Sequence, residues 1–184
     1  QMLLRDKIVR RWTRLLMPFL YDSVNVIQCW CGGSLGPSRD PRVGECVECG
    51  TGVLRRRLTE ASYDQWYRTG TYRRYTMGTS DVTVGQVLKE IRRGQAAYAF
   101  LERHGYSVAS KSVLDIGSGA GGNLIVAQIL RAAKMRGVDT DKRSQTAPSA
   151  LGIGVSEYLP SEGPWDRVIC SHLIEHIIQP LEFL

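Results

Sequence analysis

The chain has 184 residues, 43% of them hydrophobic, and a formal net charge of +6, a composition that fits a soluble globular protein. No apolar run approaches the ~20 residues that span a bilayer, and no small-residue cleavage pattern follows Leu15–Tyr21, so neither a transmembrane segment nor a secretory leader is expected. The excess charge is at the front, where residues 1–80 hold 13 Lys/Arg against 7 Asp/Glu while residues 81–184 hold 11 of each, which predicts two units with different surfaces.

In chain order, Leu4, Ile8, Trp12 and Leu15/Leu16 recur at helical spacing with arginines and Lys7 between them, and Pro18 closes the pattern. Residues 1–26 therefore read as a basic amphipathic helix. Its apolar stripe suits either the rest of the protein or a membrane surface, and its positive charge an anionic partner such as nucleic acid.

Residues 27–54 carry Cys29, Cys31, Cys46 and Cys49 among glycines and prolines, with few apolar residues for a core. Paired cysteines of this kind in a chain without a leader point to a metal and a reducing cytoplasm rather than to disulfides. Tetrahedral coordination of a structural Zn2+ by the four thiolates fits, and the glycine after each pair permits the tight turn that aims amides at the sulfurs. The fifth cysteine, Cys170, reads as a core residue.

Residues 55–108 read as a tyrosine-rich linker and a helix. Arg55–Arg57 lead into Tyr63, Trp66, Tyr67, Tyr72 and Tyr75, rings that either cover a ligand cleft or pack the cysteine segment onto the C-terminal half of the chain. Arg73 and Arg74 are expected to meet an acidic substrate or face solvent. A helix is predicted from Val82 to about Gly105, with Val87, Ile91, Ala97, Phe100 and Leu101 on its inner side.

From residue 109 the pattern alternates: a strand over Ser112–Ile116, a helix over Asn123–Ala133, strands over Met135–Asp139, Gly152–Val155 and Arg167–Ser171, and a helix opening over Leu173–Ile178. This predicts an α/β fold with a parallel, Rossmann-like sheet. Gly117, Gly119, Gly121 and Gly122 follow the first strand and open the first helix, the position where such sheets bind nucleotide-like cofactors. The glycine pattern alone describes a dinucleotide site equally well. Asp115, two residues before it, would repel a pyrophosphate and attract a cation, and Asp139, closing the next strand, can accept from ribose hydroxyls.

Val113-Leu-Asp-Ile-Gly-Ser-Gly-Ala-Gly-Gly122, Gly137-Val-Asp139 and Trp165-Asp-Arg-Val-Ile-Cys-Ser-His-Leu-Ile-Glu-His176, followed by Gln179-Pro-Leu-Glu-Phe-Leu184, together resemble the successive motifs of class I S-adenosylmethionine-dependent methyltransferases. The resemblance implies that Asp115, Gly117, Ser118, Gly119, Gly121 and Gly122 hold the methionine part and Asp139 the ribose. His172 would line the cleft, and His176 or His172, oriented by Glu175, would serve as general base. In place of the acid that often meets adenine near the end of the third strand, this chain offers Val155-Ser-Glu157, with Glu157 the candidate for that contact. The family fold also continues for about three strands beyond the helix near Leu173, so residues 109–184 are expected to form an incomplete, C-terminally truncated domain.

The order of cysteine segment, tyrosine-rich stretch and glycine turn is similar to bacterial methyltransferases of sugars and cell-surface polysaccharides, which implies a sugar or related small-molecule acceptor. Rival readings are an RNA methyltransferase that binds phosphates through Arg55–Arg57, a cofactor-binding scaffold without catalysis, and a dinucleotide oxidoreductase.

Overall fold

The computed structural model describes Arg11, Leu16, Leu20 and residues 21–183. The three isolated positions are helical; the remaining residues of 1–19 lie outside the described residues, and residues 21–26, included in the amphipathic helix expected over 1–26, are not helical. Within that span Ser23–Asn25 is already a strand, β1, which pairs antiparallel with β5, Arg56–Leu58. The two form a short stem, and between them Leu35–Gly36 (β2), Val43–Cys46 (β3) and Gly52–Leu54 (β4) make a three-stranded antiparallel sheet.

Two short helices follow, α1 over Glu60–Arg68 and α2 over Thr71–Met77. Thr59 caps α1 by accepting from the Ser62 amide, and Gly70, whose backbone is left-handed, turns the chain into α2. A side chain at Gly70 would also collide with the Arg143 guanidinium.

Thr83 caps the long helix α3, Val84–Arg103. Its inner stripe runs through Val87, Ile91, Gly94, Tyr98 and Leu101. Phe100, expected on that stripe, is 54% exposed; it lies about half a turn away from Tyr98 and stacks on His104 at the outer surface.

The second half is a parallel sheet in the order β8-β7-β6-β9, formed by Ser112–Ile116 (β6), Lys134–Val138 (β7), Gly154–Ser156 (β8) and Arg167–Ile169 (β9). Val113, Leu114 and Asp115 of β6 are buried, as befits a central strand covered on both faces. Helix α4, Gly122–Ile129, packs on α3 over a core of Tyr98, Val108, Val113, Val126 and Ala127. It stops short of the expected Ala133 because Arg131 turns left-handed and the Ala132 amide reaches back to the Ala127 carbonyl, which closes the helix end.

The chain steps from β6 to β7 to β8 in one direction and then returns to place β9 on the other side of β6. That reversal is the switch point at which open α/β sheets leave a crevice beyond the strand ends. A five-residue helix, α5, spans Thr146–Ala150; the helix expected to open at Leu173 is instead a single 3-10 turn, Ile174–His176, after which Ile177 is extended and Pro180 starts a short helix, α6, at Pro180–Phe183. A proline disfavours helical backbone in the residue before it, which limits how far the 3-10 turn can run. No described helix is long and apolar enough to cross a membrane.

Candidate functional site

A cavity of about 660 Å3 opens at the switch point, within the ~300–1,000 Å3 span of ligand pockets. Its floor is the turn between β6 and α4, where Gly117, Gly119 and Gly121 all have left-handed backbone, a conformation that costs a side-chain-bearing residue energy. Gly117, Ser118, Gly119, Gly122, Asn123 and Asp139 line the cavity, and His172 and His176 face it from beyond β9. Gly121 lies outside the lining, with Pro148 where a side chain would go.

Two carboxylates occupy the amides of this turn. Asp139 Oδ2 accepts from Gly119 N at 2.8 Å while its Oδ1 accepts from Asp141 N at 2.8 Å. Glu90 Oε2, from α3, accepts from Ala120 N at 2.6 Å. Amides that would cradle a pyrophosphate in a dinucleotide site are thus already engaged by acids. Burial pushes the carboxyls of both Glu90 and Asp139 above the usual carboxylate range.

Asp115 lies beneath the turn rather than on the cavity wall. It is fully buried; Oδ1 accepts from Asn123 Nδ2 at 3.2 Å and Oδ2 has no partner. Burial, with the neighbouring charges of Glu90 and Asp139, pushes its carboxyl up to about 7 against the opposing Asn123 hydrogen bond. Among the described residues, no Lys or Arg comes within ion-pair distance of Asp115, Asp139 or Glu90.

The opposite wall comes from the tyrosine-rich segment. Trp66 is buried at its centre, with the rings of Tyr63, Tyr67, Tyr72 and Tyr75 at 5.5–6.0 Å. Tyr63, Tyr67 and Tyr72 also line the cavity, so the aromatic segment both packs and walls the cleft. Tyr67 and Tyr72 meet His176 edge-on at 6.0 and 6.2 Å, and burial lowers the His176 imidazole below its ordinary range. Glu175 faces His172 instead, with Oε1 3.5 Å from Nδ1, and both are exposed.

Arg73, expected to meet an acidic substrate or solvent, is buried. Its guanidinium bonds Asp141 Oδ2 and Ser144 Oγ, each at 2.6 Å, and ties α2 to the loop after β7. Arg143 completes the joint by donating to Asp141 and to the Tyr67 and Arg68 carbonyls. Glu157 is not on the cavity wall and pairs with Arg68 and Lys142. Glu90 and the Tyr67/Tyr72 clasp on His176 have no motif in the sequence; the only signal for Glu90 is an acid beside the apolar stripe of α3.

At the other end of the molecule the four cysteine sulfurs lie within 4.8 Å of one another, with close pairs of 3.4, 3.5 and 3.8 Å. A tetrahedron with metal–sulfur bonds of ~2.3 Å has edges of ~3.8 Å, so the donor set fits Zn2+. Gly32 and Gly50 after each pair are left-handed, and a side chain at Gly33 would strike Cys46 Sγ. The Thr51 hydroxyl holds the Cys49 thiol down to about 6.

A family model described as "Methyltransferase domain" matches residues 88–184, more than half of the chain and the whole of the sheet, its turn and the histidine segment. The chain belongs to the methyltransferase domain family. Two solved structures of magnesium protoporphyrin IX methyltransferase from Synechocystis PCC 6803 are similar to it. The one with bound SAH is 23% identical with a TM-score of 0.42, covering 63% of this chain and 60% of that one. The one with bound SAM is 24% identical with a TM-score of 0.41, covering 61% of each. The methyltransferase chain described here thus spans less than two thirds of those proteins. No curated protein matches its sequence.

Proposed function

We propose that this methyltransferase domain binds S-adenosylmethionine at the glycine turn and transfers its methyl group to a hydroxyl of a sugar, polysaccharide or related small molecule. The observation that carries the cofactor reading is the acidic turn: Asp139 and Glu90 engage the Gly119 and Ala120 amides, Asp115 lies beneath, and among the described residues none of the three is in ion-pair contact with a cation, Arg73 acting on Glu90 and Asp139 only at a distance while paired with Asp141. Such a site favours a ligand that brings its own positive charge. When bound, S-adenosylmethionine supplies an electrophilic methyl on a sulfonium.

The chain's own part is alignment and proton handling. Asp139 is placed to accept from the ribose, and Tyr63, Tyr67 and Tyr72 supply flat apolar faces with hydroxyl tips, a surface suited to a sugar ring. His176, kept neutral by burial between Tyr67 and Tyr72, has a ring nitrogen able to accept the hydroxyl proton as the methyl is transferred. In-line transfer needs no covalent intermediate, so holding donor and acceptor in register does most of the work.

The cavity is a poor host for a phosphate backbone, because Glu60, Asp64, Glu90, Asp139, Asp141 and Glu182 line it against Arg73 and Arg93, and Arg73 is spent on Asp141. Arg55 donates to the Gly36 carbonyl and Arg56 to Ser23 Oγ, which engages two of the three arginines an RNA reading relies on.

The test is transfer from methyl-labelled S-adenosylmethionine to sugar nucleotides, polysaccharide fragments and RNA in parallel. Label is expected on a hydroxylated sugar acceptor, and label on RNA alone would overturn the acceptor reading. His176→Asn should lower kcat by roughly 10²–10⁴-fold while leaving cofactor affinity nearly unchanged. Because burial depresses the imidazole, the acid limb of kcat in the unaltered chain should lie below the ordinary histidine range of about 6.5, and the variant should lack that limb.

A further inference from the structure

The acid that meets the cofactor's charged tail need not be the one nearest the glycine turn in sequence. Asp115 is sealed under the turn and absent from the cavity wall. Glu90, thirty residues before Ala120, reaches the open side of the same turn. It gets there because α3 crosses α4 at very close range: a side chain on Gly122 would fall 2.5 Å or less from the Glu90 backbone, and one on Gly94 would sit 3.1 Å from the Gly122 carbonyl. That contact carries the Glu90 carboxylate over Gly119, where a side chain would lie 3.0 Å from Oε2.

The carboxylate is oriented but not neutralised. Gln86 Nε2 approaches Oε1 at 3.4 Å and the Ala120 amide holds Oε2. Arg73, whose charge also reaches Glu90, is committed to Asp141 and Ser144. Beneath the same turn, Asp115 Oδ2 is buried without any partner. Two acids on either side of one glycine turn, one of them open to a cavity, form a receptor for a compact cation with several N–H donors.

We propose that Glu90 is a cofactor-binding residue that takes the α-ammonium group of the amino-acid tail of S-adenosylmethionine, and so makes the site selective for a ligand carrying that tail. This rests on the cofactor reading above and assigns a residue to it that lies outside the glycine turn and the strands flanking it. A neutral tail leaves the Glu90 charge unanswered, whereas the ammonium forms a charge-assisted hydrogen bond with it.

The experiment is calorimetric binding of S-adenosylhomocysteine, of its analogue lacking the amine, and of 5′-methylthioadenosine, which lacks the whole tail, to the unaltered chain and to Glu90→Gln. The glutamine keeps an oxygen for the Ala120 amide. Expected is a loss of about 10–100-fold in affinity for S-adenosylhomocysteine, with 5′-methylthioadenosine changed less than about threefold. The unaltered chain should discriminate against the deaminated analogue by a similar factor, and that discrimination should vanish in the variant.

Equal weakening of all three ligands would show that Glu90 only supports the fold of the turn and would overturn the assignment, as would no weakening at all. Should Glu90→Gln fail to fold, equal affinity of the unaltered chain for the amine-bearing and deaminated ligands is sufficient to refute it. Binding of none of the three by the unaltered chain would remove the cofactor reading itself.

Discussion

Asp115 concentrates the electrostatics of this protein in one carboxyl group. Burial raises it to about 7, with Glu90 and Asp139 adding to the effect. A carboxyl whose folded-state value lies above its unfolded value near 3.9 binds its proton more tightly in the native state. Unfolding free energy therefore falls as pH rises through the interval from about 4 to 7, and is flat above it. Replacing Asp115 by Asn removes the ionisation and keeps an oxygen for the Asn123 bond. The variant should therefore melt higher than the unaltered chain at pH 8, and the gap should shrink towards pH 5, as read by thermal unfolding across that range. A variant that melts lower by the same margin at both ends would mean that the carboxylate is stabilised by the fold. The native site would otherwise keep a destabilising charge for its ligand, a familiar trade of stability against function.

At the scale of elements, the joint between the aromatic helices and the sheet rests on one buried ion pair. Arg73 and Asp141 are each about 5% exposed in their side chains, and Arg143 shares the same carboxylate. Removing Arg73 leaves the buried Asp141 carboxylate with Arg143 alone, a loss expected to fall below the ~3–5 kcal/mol seen when a buried charge is left wholly unpartnered. Arg73→Ala should thus lower the denaturation midpoint strongly and widen the cleft, raising KM for the acceptor more than for the cofactor. An Arg73→Met, Asp141→Leu double variant should recover part of the stability but not the acceptor KM; failure to recover would place the cost in packing or in Arg143, which loses the same carboxylate. This joint is hidden in the sequence because its partners are 68 residues apart and an arginine in a tyrosine-rich run looks solvated. The sheet is legible because its strands carry buried apolar runs: the expected bounds of β6 coincide with the observed ones, and those of β7 are offset by one residue. The end of α4 and the 3-10 turn at Ile174 are not, since a left-handed Arg131 and an extended Ile177 depend on hydrogen bonds beyond the local pattern. Glu90 is invisible for a similar reason, its role being created by the α3–α4 crossing.

Across the whole molecule, two cohesive units meet through the tyrosine-rich helices, and they differ in what holds them together. The sheet unit has an apolar core of its own. The cysteine unit has only short strands, a three-residue stem on each side, and four convergent sulfurs. With so little apolar surface to bury, metal binding of the order of 10–16 kcal/mol, as in zinc-finger peptides, would be sufficient to order it. The protein purified without chelator should carry one zinc per chain by atomic emission. Stripping the metal should expose Arg39 and Arg42, which lie in the loop between β2 and β3, to rapid tryptic cleavage. The damage should stop at the stem. The Tyr67–Trp66–Tyr72 cluster is pinned to the sheet by Arg73, Asp141 and Arg143 rather than by the cysteine unit, so affinity for S-adenosylhomocysteine should change by less than about threefold. If chelation abolished cofactor binding as well, the stem and its arginines would have to be transmitting order into the cleft, and the two units would be one cooperative structure despite the different forces that hold each together.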